Sequence, residues 1–364
     1  MIDKFEKYAL QLKNQKLFEM EELYQKNFTD YVSIFQEHFL QLCKNIIQLQ
    51  KTSTLGEISY LEYTLLYTNL LQKKETAEVR VYNDNWYFDS GQQIVGNFDF
   101  SHLFPKFREL WTELFAARKR FAGAVASHEI KSFLLSCARS FYRYVISVCR
   151  FSILPCIESE LFQSIQRAKK FEINIGEYMA YTEAVYKEDK NRTSKDALDW
   201  FSLRLEYEYA FEDFSGLDFS GTNLSEIDLR YSDLRNCKLA NTDFQDSMLF
   251  GTRFCHSDME DADLRYCLLH EADFTGANLA NARFTAAKSY TGIAPERTSW
   301  KIPGYRPVSF RNANLTNADF KNAAIENADF TGAKMDGAMF YEEHASQLEL
   351  SPEQMRQINL LPCL

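Results

Sequence analysis

Hydrophobic residues between positions 214 and 340 recur every five residues. From Phe214 to Phe284 every fifth residue is Leu, Phe or Met, and the residue two positions earlier is mostly small. The pattern resumes at Phe310 and continues to Phe340. A short fixed period is typical of a solenoid. Because a period of five fits neither an α-helix nor a β-strand, we predict that each five-residue unit forms one side of a coil.

The units Ala272-Asp273-Phe274-Thr275-Gly276 and Ala313-Asn314-Leu315-Thr316-Asn317 resemble the pentapeptide-repeat family. In that family four units make one square turn of a right-handed β-helix, with the central and the small residue inside. The resemblance covers only the C-terminal part of the chain. It implies that central residues 20 apart in the sequence stack in columns, for example Phe214, Leu234, Phe254 and Phe274.

Before residue 194 the apolar spacing changes to that of α-helices. It predicts two helices before residue 50, a third over 58–71 and a longer one over 128–151. Two more are predicted at about 157–171 and 176–189. The polar triplet Asn83-Asp84-Asn85 separates two short β-prone segments, 78–82 and 86–88, which predicts a β-hairpin.

The predicted fold class is α+β with several domains. Residues 1–193 form a mainly helical domain with a small β-hairpin, and residues 194–210 form a capping helix with Ser194 as its N-cap. Residues 211–340 form the β-helix, interrupted by a loop at 288–307 that is rich in proline. The capping-box sequence Ser351-Pro352-Glu353-Gln354 predicts a closing helix within 341–364.

The net charge of −10 lies mostly on the coil. Residues 211–289 carry 7 basic and 14 acidic side chains, whereas residues 1–210 carry 27 and 28. Duplex DNA has about 11 phosphate charges over the roughly 18 Å that this part of the coil would span. The coil's net charge of −7 is therefore about two-thirds of that of DNA. Some pentapeptide-repeat proteins, the quinolone-resistance Qnr group among them, present such an acidic rod to type II topoisomerases as an imitation of DNA.

Three sets of residues are candidate binding sites. Irregular loops with aromatic residues on a rigid scaffold are frequent recognition elements. The loop set is Trp300, Tyr305, Arg297 and Lys301. A possible acidic face is formed by Asp258, Glu260, Asp261, Asp263, Glu271 and Asp273. A basic stripe on the helix over 128–151 contains Arg139, Arg143 and Arg150.

Each set also has an ordinary structural explanation. The loop could simply pack on the coil, and the basic stripe could be the solvated side of an amphipathic helix. The Asp and Asn residues that precede the central positions recur with the repeat, so their side chains are expected to accept hydrogen bonds from turn backbone. The histidines are scattered, and His256 and His270 fall at outward positions of the coil, where we expect solvated side chains.

The sequence contains no P-loop, GxGxxG or GxSxG motif and no His spacing typical of a metal site. We therefore expect no catalytic residues, no metal and no cofactor. None of the eight cysteines occurs in a CxxC motif, which favours a reducing, cytoplasmic compartment. No apolar segment is long enough for a signal peptide or a membrane span, so we expect no membrane association.

These observations predict a non-enzymatic protein that binds a protein partner through the coil faces and the loop. The first alternative is an acidic DNA mimic that binds DNA gyrase or topoisomerase IV, without direct nucleic-acid binding by the chain. The second is that the helical domain is an enzyme with no recognised motif and that the coil is its substrate platform. The sequence leaves the partner and the oligomeric state open.

Overall fold

The computed structural model describes residues 2–86, 93–121, 125–292 and 303–362. The chain divides into two compact units. The first contains Met1–Glu188, and the second contains Asp189–Ala294 and Gly304–Leu364.

Three long helices form much of the first unit: α1 (Ile2–Lys51), α3 (Pro105–Ala117) and α4 (Ser127–Ile157). Helix α1 packs against both α3 and α4. It covers the two helices predicted before residue 50, which are separated only by a kink at Asn27. Two short helices, α2 (Tyr67–Leu71) and α5 (Glu160–Gln163), complete the helical part.

The strands of this unit form a five-stranded sheet. They are β1 (Ile58–Leu65), β2 (Thr76–Tyr82), β3 (Gln93–Asp99), β4 (Arg167–Glu177) and β5 (Thr182–Asp189). The order across the sheet is β3-β2-β1-β4-β5. Strands β1 and β2 and strands β2 and β3 are antiparallel, whereas β1 and β4 are parallel.

This sheet is larger than the sequence pattern predicted. The third predicted helix, over 58–71, is strand β1 followed by the short α2. The range 157–171 contains α5 and the start of β4, and most of the range 176–189 is strand. Seven of the eight residues of β1 are buried, so the strand has no polar face to reveal its period of two. Strand β2 covers the predicted first strand of the hairpin, but its antiparallel partner is 93–99 and not the predicted 86–88; Tyr87 and Phe88 lie outside the described residues.

The second unit is the predicted coil. Parallel backbone bridges link residues 20 apart, as in Asp213–Asp233, Asp233–Arg253 and Arg253–Asp273. The rings of Phe254 and Phe274 stack with centroids 5.0 Å apart. These bridges and stacks confirm the predicted 20-residue columns.

The predicted role of the recurring Asp and Asn side chains is also confirmed. Most of them accept a hydrogen bond from the backbone N–H two residues later, for example Asp213 from Ser215 and Asp273 from Thr275, both at 2.9 Å. Such side chains stabilise the turn at each corner.

At the start of the coil, α6 (Ser194–Phe201) places Phe201 against the first central residues. Its ring lies 4.9 Å from Phe214 and 5.4 Å from Phe219. The helix is shorter than the 194–210 predicted, and its N-cap is Thr193 rather than Ser194, because Thr193 and Asp196 form a reciprocal capping box. Beyond the helix, Arg204 donates hydrogen bonds to the carbonyl oxygens of Asn223 and Ser225.

At the other end, β6 (Met339–Tyr341) pairs in parallel with β7 (Asn359–Leu361). Two short helices, α7 (Glu342–Ala345) and α8 (Gln354–Gln357), lie between these strands. The predicted capping box forms: Ser351 N–H donates to the Gln354 side chain, and Gln354 N–H donates to Ser351 Oγ. The Gln354 amide also donates to the carbonyl oxygens of Phe330 and Ala333, which lie at the last coil.

Candidate interaction surface at the interrupted coil

The loop is an insertion into a single coil. Before it, ladder partners are 20 residues apart, whereas Asp273 pairs with Ser309 and Lys288 pairs with Ala324, both 36 apart. The insertion is therefore 16 residues long. Ser289 occupies the central position 20 residues after Leu269, and Phe310 is the next central residue. The loop thus leaves the coil at one corner and returns at the same corner.

Both ends of the loop are held by backbone hydrogen bonds. Gly292 and Tyr305 exchange two N–H···O bonds of 2.8 Å, as residues in an antiparallel pair do. One residue further, Arg306 N–H donates to a carboxylate oxygen of Glu271 at 3.0 Å. Glu271 N–H donates in turn to the carbonyl oxygen of Arg306. The stem of the loop is therefore fixed to the coil.

Aromatic side chains cover the same corner. The His270 ring stacks on Tyr305 at 4.5 Å and on Tyr290 at 5.2 Å, and Phe250 contacts both His270 and Tyr305. His270 Nδ1 accepts a hydrogen bond from Tyr290 N–H at 2.8 Å. His270 is only 4% exposed, so the expectation of a solvated side chain at this position is wrong. The returning loop buries it, and the five-residue pattern alone carries no information about that contact.

Tyr231 connects this corner to an earlier coil. Its hydroxyl donates to Glu271, 40 residues later, at 3.0 Å. The ring can cross the intervening coil because Gly251 has no side chain; a Cβ there would lie 2.2 Å from the Tyr231 ring. Gly251 also has a φ of +59°, which glycine adopts without strain. Glu271 therefore links Tyr231 to the loop stem.

One buried group at the corner lacks a partner. Ser289 stands where the neighbouring coils have Leu269 and Ile325, and its hydroxyl has no hydrogen-bond partner among the described residues. A buried, unpaired hydroxyl is destabilising. The interruption of the repeat therefore coincides with a polar residue, Ser289, at a central position that is apolar in the neighbouring coils.

Of the four predicted loop residues, the structure describes Tyr305, which is 5% exposed and packs on the coil. Its position makes it an anchor of the loop. Trp300, Arg297 and Lys301 lie outside the described residues. Sequence reasoning missed Tyr231, Phe250 and His270 as loop supports. A usable signal was present, because Phe250, His270 and Tyr290 are outward aromatic or His residues spaced by 20.

The six residues of the predicted acidic face do not share one side of the coil. Asp258, Asp263 and Asp273 belong to three different bridge ladders. Asp263 is buried and pairs with Arg265 at 2.7 Å and Arg283 at 2.8 Å. Glu271 is buried in the loop stem, as described above. Only three of the six are exposed: Asp258, Glu260 and Asp261.

The three residues of the basic stripe lie on α4 in the first unit. Arg139 forms a two-bond ion pair with Glu177 of β4, with N···O distances of 2.6 and 2.9 Å. Arg150 pairs with Glu183 of β5, and Arg143 is half-buried. Arg139 and Arg150 are thus already neutralised by glutamates of the sheet. Anion binding there would require those pairs to open.

The residues that the structure describes show neither a metal site nor a membrane-spanning helix. In the described part of the chain, no group of three or more His, Cys, Asp or Glu side chains could hold a metal ion. Across the same described ranges, every helix is too short or too polar to cross a membrane.

Comparison with known proteins agrees with the coil geometry. The family model "Pentapeptide repeats" matches residues 213–246, 247–288 and 308–341 in 8 copies. A search of the curated proteins found no match to this sequence.

Several solved structures are similar to the C-terminal part of the chain. A pentapeptide repeat protein from the Arabidopsis thaliana thylakoid lumen is 26% identical, over 40% of this chain and 72% of its own, with a TM-score of 0.17. Rfr23 from the cyanobacterium Cyanothece 51142 is 18% identical, over 38% and 94%, with a TM-score of 0.24. QnrB1, a plasmid-mediated fluoroquinolone resistance protein, is 16% identical, over 42% and 82%, also with a TM-score of 0.24.

Because all three TM-scores are low, the identification depends on the family match and on the ladder geometry. The matched residues coincide with the two runs of 20-residue ladders, and the gap between 288 and 308 coincides with the inserted loop. The C-terminal region of this chain is therefore a pentapeptide-repeat β-helix, interrupted once by a loop.

Proposed function

We propose that the chain is a non-enzymatic protein that binds a macromolecular partner, most directly a protein, through the loop over 288–307 and the adjoining coil surface. The observation that carries this proposal is the fixed loop stem. Gly292–Tyr305 pairing, the Glu271–Arg306 bonds and the His270–Tyr305 stack all hold it to the coil. A loop with fixed ends loses less conformational entropy on binding than a free segment does.

The composition of the loop supports the same proposal. Between Gly292 and Tyr305 the chain contains Trp300, Arg297 and Lys301. Trp and Arg are enriched among the residues that dominate binding energy in protein interfaces. We propose that these three side chains, rather than Tyr305, contact the partner.

The test replaces residues 293–304 with Asn-Gly. Because Gly292 and Tyr305 already form an antiparallel pair, a two-residue Asn-Gly turn can join them without disturbing the coil. The variant should keep the melting temperature of the coil and lose partner capture from host extract. A second variant with Trp300, Arg297 and Lys301 changed to Ala, in a loop of native length, should also lose capture. Unchanged capture by both variants would move the site away from the loop.

A DNA-mimic function, directed at a type II topoisomerase, is the alternative supported by the net charge of −7 over 211–289. The exposed carboxylates of Asp258, Glu260 and Asp261 favour it. The arrangement of the charges weighs against it, because Glu271 is buried in the loop stem and Asp258, Asp263 and Asp273 belong to three different ladders. We therefore prefer protein binding through the loop.

We further propose that the protein works in a reducing compartment, in agreement with a cytoplasmic location. The seven described cysteines are free, and six of them are buried. Burial raises the pKa of the Cys156 thiol to about 11 and that of Cys43 to about 12. These thiols therefore stay protonated and behave as small apolar groups. Mass spectrometry of the purified protein, alkylated without reduction, should find them as free thiols; a disulfide would contradict this location.

A further inference from the structure

A second surface of the coil has the properties of a peptide site, and it is separate from the loop. A cleft of about 500 Å³ lies beside the first two coils, where the chain passes from α6 into the repeat. Its apolar lining includes Leu205, Tyr207, Ile227 and Met248. Its acidic lining includes Glu206, Glu226 and Asp246. We refer to these seven residues as the acidic cleft.

The apolar part of the cleft is unusually open to solvent. Leu205 is 42% exposed and Tyr207 is 58% exposed. Met248 stands at an outward position of its ladder, directly after Asp228. Outward ladder positions of this coil are mostly Asp, Asn, Lys or Arg, so an apolar side chain there has no role in the core. Grouped apolar side chains on a surface commonly mark a binding site.

The acidic part has an excess of negative charge. Glu226 and Asp246 occupy the same corner position of successive coils, which lie about 4.8 Å apart. Both are exposed, and neither forms an ion pair with another described residue. Two like charges stacked in this way repel each other, and a cation between them would relieve the repulsion.

The nearby arginines are already engaged. Arg204 uses its guanidinium group to bind the carbonyl oxygens of Asn223 and Ser225. Arg230 pairs with Asp228 at 2.7 Å. Carbonyl oxygens do not cancel the charge of Arg204, but Glu206, Glu226 and Asp246 outnumber it, so the cleft attracts a cation from a partner beside its apolar lining.

We propose that the acidic cleft binds a short basic segment of a partner protein. A bulky apolar side chain of that segment packs on Leu205, Ile227 and Met248. Flanking Lys or Arg side chains bind the carboxylates of Glu226 and Asp246. The combination excludes an acidic segment by charge and a purely polar one by the apolar floor.

The test uses the full chain and a fluorescein-labelled probe peptide of sequence Gly-Lys-Arg-Leu-Phe-Lys-Arg-Gly. Fluorescence anisotropy at an ionic strength of about 0.15 M should show binding of this probe. A peptide with Glu in place of every Lys and Arg should not bind, and neither should one with Ser in place of Leu and Phe. Absence of binding by the basic, apolar probe would overturn the proposal.

A matched pair of double variants locates the site. Glu226→Asn with Asp246→Asn should weaken probe binding at least about tenfold, because both charge contacts are lost. Asn occupies the same kind of positive-φ corner at Asn236, Asn241 and Asn281, so the fold should tolerate the change. The control, Glu260→Gln with Asp261→Asn, removes the same charge elsewhere on the coil and should leave affinity within about twofold. Equal weakening in both variants would mean attraction to the coil's net charge, and would refute a specific site.

Two further measurements complete the test. Met248→Ser should weaken binding of the probe while leaving its salt dependence unchanged, because this variant removes only apolar contact. The variant in which Asn-Gly replaces residues 293–304 should bind the probe as well as the wild type does. Loss of probe binding in that variant would place the peptide site at the loop and contradict this inference. Loss of partner capture with unchanged probe binding would support the proposed function of the loop and leave this inference intact.

Discussion

Small inward side chains contribute differently in the two runs of the coil. In the first run, several hydroxyl groups donate to the carbonyl oxygen of the central residue 23 positions earlier, as Ser257 does to Leu234 at 2.6 Å and Thr252 to Leu229 at 2.8 Å. In the second run the inward small residues are alanines, from Ala313 to Ala338. The first run is therefore joined by buried side-chain hydrogen bonds as well as by backbone ladders.

Two serine-to-alanine substitutions should consequently have opposite effects. Ser257→Ala removes a buried hydroxyl that also accepts from Cys237 N–H, and should lower the free energy of unfolding by about 1 kcal/mol. Ser289→Ala removes a buried hydroxyl without a described partner, and should raise it by about 1 kcal/mol. Urea unfolding followed by circular dichroism measures both. If both variants lower the free energy of unfolding, the Ser289 hydroxyl is hydrogen-bonded in solution.

His38 should make the first unit sensitive to acid. It packs against Phe98 with ring centroids 4.8 Å apart, and burial lowers its pKa to about 4. Because the pKa in the unfolded chain is near 6.5, the neutral ring stabilises the fold above that pH, and this contribution is lost as the pH falls from 6.5 towards 4. The expected loss at a pH of about 4.5 is roughly 2 kcal/mol.

His38→Leu should remove most of this loss, because leucine has a similar volume and no titrating group. The exposed His128 provides the control, and His128→Gln should keep the acid sensitivity of the wild type. Unfolding free energies at a pH of about 7 and about 4.5 make the comparison. A His38→Leu variant as acid-sensitive as the wild type would assign the effect to other groups, such as His102, whose pKa is also lowered by burial.

At the scale of single residues, the sequence predicts only what the period determines. The inward and outward positions and the Asx turns follow from the repeat, and both were predicted. The burial of Asp263, His270 and Glu271 was not. It depends on partners 20 to 40 residues away, such as Arg283, Tyr305 and Tyr231. A local pattern cannot reveal contacts at that separation.

At the scale of elements, the coil was predictable and the sheet was not. The coil has one short period, and each of its contacts repeats with that period. In β1, Ile58, Leu61 and Leu65 have helical spacing by chance, since both faces of the strand are buried. Its parallel partner β4 begins more than 100 residues later. Pairing at that distance leaves no trace in a local hydrophobic pattern.

The end of the coil provides an element-scale prediction. Phe201 of α6 is 3% exposed and contacts the rings of Phe214 and Phe219. Phe201→Ala should lower the free energy of unfolding of the coil by about 3 kcal/mol, because it opens a cavity over the first central residues. Leu203, two residues later, is 62% exposed, and Leu203→Ala should have almost no effect. Urea titration of both variants, followed by circular dichroism, compares them. Equal destabilisation would mean that α6 does not cover the coil in solution.

At the scale of the whole molecule, net charge is a poor guide to electrostatic function. The net charge of −7 over 211–289 is what remains after the arginines have been counted, three of which pair with Asp228, Asp233 and Asp263. Glu271 is buried and holds the loop stem. The exposed carboxylates of Asp258, Glu260 and Asp261 form a smaller patch. A DNA mimic depends on negative potential spread along a face, whereas the exposed carboxylates of Glu226 and Asp246 stand at a different corner of the coil from that of Asp261.

The final prediction, on gyrase, follows from this distribution of charge. The wild-type protein should leave the inhibition of gyrase supercoiling by a fluoroquinolone unchanged, because its exposed carboxylates are divided between two groups, Asp258 to Asp261 and Glu226 with Asp246. If the protein instead relieves the inhibition, the triple variant Asp258→Lys, Glu260→Lys and Asp261→Asn should abolish the relief without unfolding the coil. High salt should weaken the relief as well, because charge attraction between exposed groups is screened. If the wild type relieves the inhibition, and if that relief is lost in the triple variant and in high salt, then the coil acts as a DNA mimic. That result would refute loop-mediated protein binding as its function.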